Sequence, residues 1–308
     1  MQTERIVGRY SGQEKGPLFI CLAGVHGNEP AGVLAIERFF RELATFPDIP
    51  FRGTVLGLKG NLAALKAGTR FVGRDLNRMI TPDIVGRISE IPKDSLREEY
   101  LQLRELLDQV HEELERSRPQ ELILLDIHTT SADGGIFSIP AENIESQKLA
   151  LHFHVPIVRG MSRELEGTSL SYFAPEFAGF PCRAVAFEAG QNDDPKSELR
   201  SVAVIINGLK AAGCISDADF PNEWEHLLLE YASRLPAISE LICVHPVNPG
   251  DGFAMKPGYR NFQPVRKGEH LADDKKGPIL APVEGMILMP LYQSQGSNGF
   301  FLVREFTA

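Results

Sequence analysis

Short apolar runs alternate with longer amphipathic stretches over the first two-thirds of the chain, the pattern of a sheet covered by helices. The apolar runs predict strands at Leu18 to Ala23, Thr54 to Leu58, Leu122 to His128, Val155 to Val158 and Ala184 to Glu188. Between them the spacing predicts helices at Pro30 to Leu43, Ser95 to Arg116 and Pro195 to Ala212. The second of these sets Leu96, Leu103, Leu106, Leu107, Val110 and Leu114 on one side and charges on the other, as a helix lying on a core does. After Gly213 the texture changes. An acidic connection leads to one more helix, about Asn222 to Arg234, and then to short apolar runs broken by Asn248-Pro-Gly-Asp-Gly, Lys256-Pro-Gly, Lys267-Gly and Val283-Glu-Gly. Turns so closely spaced predict a small β barrel or sandwich. The expected architecture is therefore α/β: a catalytic-type domain over residues 1–213, then a connecting helix and β-rich domain over 214–308.

At 308 residues the chain can bury such a core without disulfide staples. Its four cysteines, Cys21, Cys182, Cys214 and Cys243, are scattered and form no Cys-x-x-Cys pair, which fits reduced thiols in a cytoplasmic protein. The segment Met-Gln-Thr-Glu-Arg has no leader-like character, and no apolar stretch approaches about 18 residues, so no membrane association is expected. A net charge of -9 argues against a nucleic-acid partner, because phosphate neutralisation needs a dense basic surface. An anionic small molecule would need a local group of arginines. The oligomeric state is left open, and a homo-oligomer is compatible with the sequence.

Four segments carry candidate chemistry. In Gly24-Val-His-Gly-Asn-Glu-Pro, a strand runs into a glycine-rich turn and then a helix. His26 and Glu29 offer imidazole nitrogen and carboxylate oxygen three residues apart, a common half-site for zinc. Pro30 suits the first helical position, which would put Glu29 at the helix cap. Taken alone, His-x-x-Glu is also an ordinary turn and cap, and a strand, glycines and a helix start can make a phosphate site. No Gly-Lys-Ser/Thr follows, however, and the glycines do not fit the dinucleotide fingerprint.

In Leu122-Ile-Leu-Leu-Asp-Ile-His-Thr-Thr, Asp126 and His128 share one face of a buried strand. Strand ends in open α/β sheets are where ligands gather. His128 can thus complete a His, Glu, His set with its fourth position open, the arrangement of a catalytic zinc site. Asp126 could orient a ligand histidine or pair with an arginine. The third segment, Arg70-Phe-Val-Gly-Arg-Asp-Leu-Asn-Arg, holds Arg70, Arg74, Asn77 and Arg78, donors suited to a carboxylate and a developing oxyanion. The fourth, Arg183-Ala-Val-Ala-Phe-Glu-Ala-Gly, ends a strand in Glu188, a candidate general base. His152 and His154 form a weaker His-x-His candidate. His111, His245 and His270 have no partner motif nearby; Tyr172 could sit near the site, but nothing in the sequence assigns it a role.

Together and in this order, Gly24-Val-His-Gly-Asn-Glu, Gly73-Arg-Asp-Leu-Asn-Arg, Asp126-Ile-His-Thr-Thr and Phe187-Glu-Ala-Gly resemble the succinylglutamate desuccinylase and aspartoacylase family, relatives of zinc carboxypeptidases. The resemblance covers most of residues 17 to 212. It implies a zinc-carboxypeptidase-like mixed sheet, one zinc ion held by His26, Glu29 and His128, and Glu188 as acid/base. It also implies a carboxylate clamp of Asn77 and Arg78, with Arg70 polarising the scissile carbonyl and Arg74 a nearby competitor. The expected activity is hydrolysis of the amide bond in a small anionic N-acyl amino acid. A metallocarboxypeptidase and a non-catalytic metal-binding homologue are the alternatives. Two departures bear on specificity. In the stretch Ala178 to Arg183 the further substrate-binding arginine of aspartoacylases proper is missing from its expected position, Arg183 being displaced, and Phe300 and Phe301 stand where aspartoacylases have a tyrosine.

Overall fold

A computed structural model describes residues 4–173 and 179–307; residues 1–3 and Ala178, used above, lie outside them. The strands are β1 (Ile6–Ser11), β2 (Glu14–Ala23), β3 (Arg52–Lys59), β4 (Leu122–Thr130), β5 (Phe137–Pro140), β6 (Ile157–Arg159), β7 (Cys182–Gln191), β8 (Ile238–Pro246), β9 (Ala254–Met255), β10 (Gln263–Val265), β11 (His270–Asp274), β12 (Gly277–Leu280), β13 (Gly285–Leu288) and β14 (Asn298–Glu305). Eleven of them form one mixed sheet in the order β1-β3-β2-β4-β7-β5-β6-β8-β14-β13-β10. Its centre, β3-β2-β4-β7, is parallel, and β5 enters antiparallel to β7.

Alternation along the central strands builds two cores. Leu18, Ile20 and Leu22 pack on one face with Leu103, Leu106 and Val110 of the helix Glu98–Ser117. Phe19, Cys21 and Ala23 pack on the other with the helices Ala31–Leu43 and Lys196–Ala211. A strand buried on both sides must be apolar at successive positions, which is why β4 reads as a nearly continuous run. Burial pushes the Cys182 and Cys214 thiols up to about 12, so they are packing groups without nucleophilic character at neutral pH.

The tail is β-rich, as its turns predict, but it does not close on itself. β8 pairs in parallel with β6, Ile157 opposite Ile238, so the main sheet runs on into the tail. The small sheet β12-β11-β9 covers that extension around Leu271, Ile287, Phe300 and Leu302. The result is a sandwich with one sheet borrowed from the rest of the chain. Alternation also separates the two phenylalanines: Phe300 enters this outer core, whereas Phe301 faces the main one.

Two local expectations change. The strand predicted at Val155 to Val158 begins at Ile157 instead, because His154 adopts φ +59° and turns the chain before it. That turn also disposes of the His-x-His pair: His152 and His154 are exposed, and His154 pairs with Glu225 at 2.7 Å. Nor does Glu29 cap the following helix. Pro30 holds that position, and the Glu29 carboxylate turns inward.

Candidate metal and active site

The turn after β2, the end of β4 and the loop before the short helical turn Leu76–Arg78 converge at one cavity. His26, Glu29, Arg70, Asn77, Arg78, Asp126, His128 and Glu188 all line it. At its base the Glu29 carboxylate lies between two imidazoles. Its Oε1 is 2.9 Å from His26 Nδ1 and its Oε2 is 2.9 Å from His128 Nδ1. All three residues are buried, and one donor atom from each falls within 4.8 Å of the others. These residues can hold a metal ion.

Behind each imidazole stands another carboxylate. Asp75 Oδ1 is 3.1 Å from His26 Nε2, and Asp126 Oδ2 is 3.0 Å from His128 Nε2. The latter pair is close but not aligned as a hydrogen bond, which leaves His128 Nε2 without one. Such carboxylates fix the tautomer and ring orientation of a histidine whose other nitrogen faces a metal. Asp126 faces His128, accepts a hydrogen bond from Ser169 Oγ, and forms no arginine pair among the described residues. Asp75, not singled out by the sequence motifs, lies likewise against His26.

Electrostatics follow from this packing. Burial alone would push Glu29 up, but the two imidazoles overcome it and hold the carboxyl well below its usual range. Asp75 is likewise held down against burial by His26, Arg70 and Arg78. Glu188 behaves oppositely. Burial, with Glu29 and Asp126 nearby, outweighs the attraction of His128 and raises its pKa to about 8. Glu188 stands directly across from His128 in the β4–β7 pairing, and its buried Oε2 has no hydrogen-bond partner.

The arginines divide. Arg70 donates to Asp75 Oδ2 through Nε at 3.2 Å and Nη2 at 3.1 Å, and Nη1 lies 3.4 Å from Glu29. Arg78 lines the same cavity but pairs with no carboxylate within 4 Å among the described residues. Its Nη1 donates to the Asn77 carbonyl at 2.7 Å, and Nη2 reaches the side-chain oxygen of Asn298 at 3.2 Å once that amide is correctly oriented. Asn77 gives its side-chain oxygen to Ser169 N–H at 2.9 Å, leaving its amide NH₂ for the cavity. Arg74 is not brought to the site. It is exposed and donates to Tyr100 Oη at 3.1 Å. Arg183 also lies elsewhere, paired with Glu121 at 2.6 Å.

Comparison with known proteins agrees with this picture. Residues 15–193 match the family model for the succinylglutamate desuccinylase/aspartoacylase catalytic domain, more than half of the chain. The chain belongs to this family. Curated succinylglutamate desuccinylases from Serratia proteamaculans and Photorhabdus laumondii are 26% and 25% identical over 196 and 190 residues, covering 62% and 59% of this chain. The chain spans 57% of the length of each. Among solved structures, a succinylglutamate desuccinylase/aspartoacylase from Rhodobacter sphaeroides has a TM-score of 0.62 at 20% identity, over 97% of this chain and 88% of that one. The ectoine utilization protein EutE of Ruegeria pomeroyi also scores 0.62, at 18% identity, over 96% and 86%. At these identities the structures share the fold.

One residue behind the family's arginine-rich loop has no motif of its own. Glu99, 1% exposed, accepts hydrogen bonds from the backbone N–H groups of Val72 (2.7 Å), Gly73 (3.0 Å) and Arg74 (3.1 Å), and from Asn61 Nδ2 (3.2 Å). In the sequence Glu99 is just the second acid at a helix start, a favourable place for any carboxylate. Its carboxyl is held below the ordinary range because these donors outweigh burial. Its stabilising effect is therefore present above the unfolded-state pKa of about 4.3 and is lost as pH falls through the lower folded value. Glu99→Ala is expected to lose about 2–4 kcal/mol at pH 7. Thermal unfolding of both proteins should show a wide Tm gap at pH 7 that narrows in acid; a gap independent of pH would count against the carboxylate clamp.

Proposed function

We propose that this protein is a zinc-dependent hydrolase that cleaves the amide bond of small N-acyl amino acids. The observation that carries the reading is the pairing, in one cavity, of the His26, Glu29, His128 set with Arg78, a guanidinium that has no carboxylate partner among the described residues. The ligand set suits zinc: two imidazoles and one carboxylate leave a position open for chemistry, and the buried Glu188 Oε2 without a partner faces the same space. When bound there, zinc supplies Lewis acidity, polarising a carbonyl and making water acidic enough to attack near neutral pH.

The chain's own residues supply the rest. Arg78 and the Asn77 amide take the substrate carboxylate, a planar fork against a planar acceptor. Arg70, held by Asp75, presents fixed positive charge where the amide oxygen becomes negative. Glu188, opposite His128 with its buried Oε2 unpartnered, can take a proton from the attacking water and return it to the leaving nitrogen. A free amino acid and a carboxylic acid result.

The test is release of free amino acid from N-acyl amino acids by the zinc-loaded protein, with the matching primary amides, which lack the carboxylate, as controls. Arg78→Ala should raise KM for the acids about 100-fold and change it little for the amides. An unchanged KM would remove Arg78 from the clamp, and turnover of peptides alone would favour a carboxypeptidase.

A further inference from the structure

The cavity has one recognition point for charge and a wall that has none. Apart from the two histidines, its cationic residues among those described are Arg70 and Arg78, and Arg70 is already engaged by Asp75 and Glu29. The segment 174–178 adds no cation, reading Ala-Pro-Glu-Phe-Ala. The sheet register shows what lies beside the chemistry. His128 and Glu188 stand opposite each other on β4 and β7. Two residues back along both strands come Asp126 and Ala186, and Ala186 in turn pairs with Ile139 of β5. Period-two alternation puts this second row on the same face as the first. Asp126 Oδ2 lies against His128 and Ser169 while its Oδ1 has no hydrogen-bond partner, so the row offers a ligand an acidic group flanked by the apolar Ala186 and Ile139, and no cation.

That surface continues. Leu165, Leu170, Met289 and Phe301 line the cavity with Ile139 and Ala186, and all six belong to one contiguous hydrophobic cluster. Ala186 is small, which leaves depth at the centre of the wall. A second carboxylate placed there would be desolvated with no countercharge, whereas methylene groups would leave water at a gain.

Resting on the amide-hydrolase reading above, we infer that the preferred substrate carries a single carboxylate, taken by Arg78, and an uncharged apolar chain that lies on the Ile139, Ala186, Phe301 wall. Dicarboxylic N-acyl amino acids are poor substrates. Ala186 and Leu165 then set how large the apolar group can be.

The experiment compares kcat/KM of the zinc-loaded wild-type protein on two graded series, N-acetyl-glycine to N-acetyl-alanine to N-acetyl-leucine and N-acetyl- to N-butanoyl- to N-hexanoyl-glycine, and on N-acetyl-aspartate and N-succinyl-glutamate. At least one series should rise by about fourfold per added methylene, identifying the end of the substrate that meets the wall. The best member should exceed both multiply charged substrates by about 100-fold. Preference for the multiply charged compounds, or no rise in either series, would overturn the inference and leave amide hydrolysis standing. A zinc-loaded protein that hydrolyses none of these compounds would overturn both.

Discussion

Glu188→Gln is expected to keep about one zinc per chain while losing about a thousandfold or more in kcat, the scale of a lost general acid/base. The substitution is close to isosteric, and the site has room for it: the buried Oε2 has no hydrogen bond to lose. The amide cannot accept a proton from water or pass one to a leaving nitrogen. Three of the surroundings that raise Glu188, namely burial, Glu29 and Asp126, disfavour its charge, so a neutral amide fits at least as well as the acid. Folding should therefore be unaffected or slightly improved. Metal analysis, Tm and single-turnover rates on one preparation separate these effects. Near-normal kcat in this variant would exclude Glu188 as the proton carrier.

His128→Ala should fail differently. Loss of one of three ligands would lower zinc content from about one per chain to a small fraction, with turnover falling in parallel. Stability should drop as well. The His128 ring lies between Asp126 and Glu29, both buried, and removing it leaves two carboxylates without their partner in a low-dielectric site. Breaking a buried pair in this way costs about 3–5 kcal/mol. The wild-type protein should gain Tm on adding zinc, whereas the variant should gain little. A His128→Ala protein with stoichiometric zinc would remove His128 from the ligand set.

These two variants test opposite sides of one strand pairing. Residues 128 and 188 come from strands separated by 51 residues that carry no site residue from the motifs, yet β4 and β7 lie in register and bring them face to face. The candidate metal set was legible in the sequence because each member sits where an apolar run stops, at the C-terminal edge of a parallel strand or in the turn after it. The four predicted helices lie where their apolar faces put them to within a few residues, whereas those at Leu62–Ala67, Pro82–Glu90 and Ile144–Leu151 were not predicted.

Other features depended on contacts between distant segments. Arg70 and Arg74 are equivalent in a linear reading, both on a polar loop four residues apart. Glu99 separates them by binding the backbone between them, turning Arg74 out to Tyr100 while Arg70 reaches Asp75 and Glu29. Asp75 had no signal of its own as a partner of His26, being one polar residue in a polar segment. Asn298 and Met289 join the cavity from the tail more than 100 residues after Glu188.

The sequence by itself determined the α/β pattern, the strand ends that bear His26, His128 and Glu188, and the composition of the arginine-rich loop, because periodicity and motif chemistry are local properties. Tertiary structure decided which nitrogen of each histidine faces Glu29, which arginine of the cavity has no carboxylate partner among the described residues, and what lies beside Glu188. Those outcomes depend on strand register and on which buried charges meet, and both are set by packing between segments far apart in the chain.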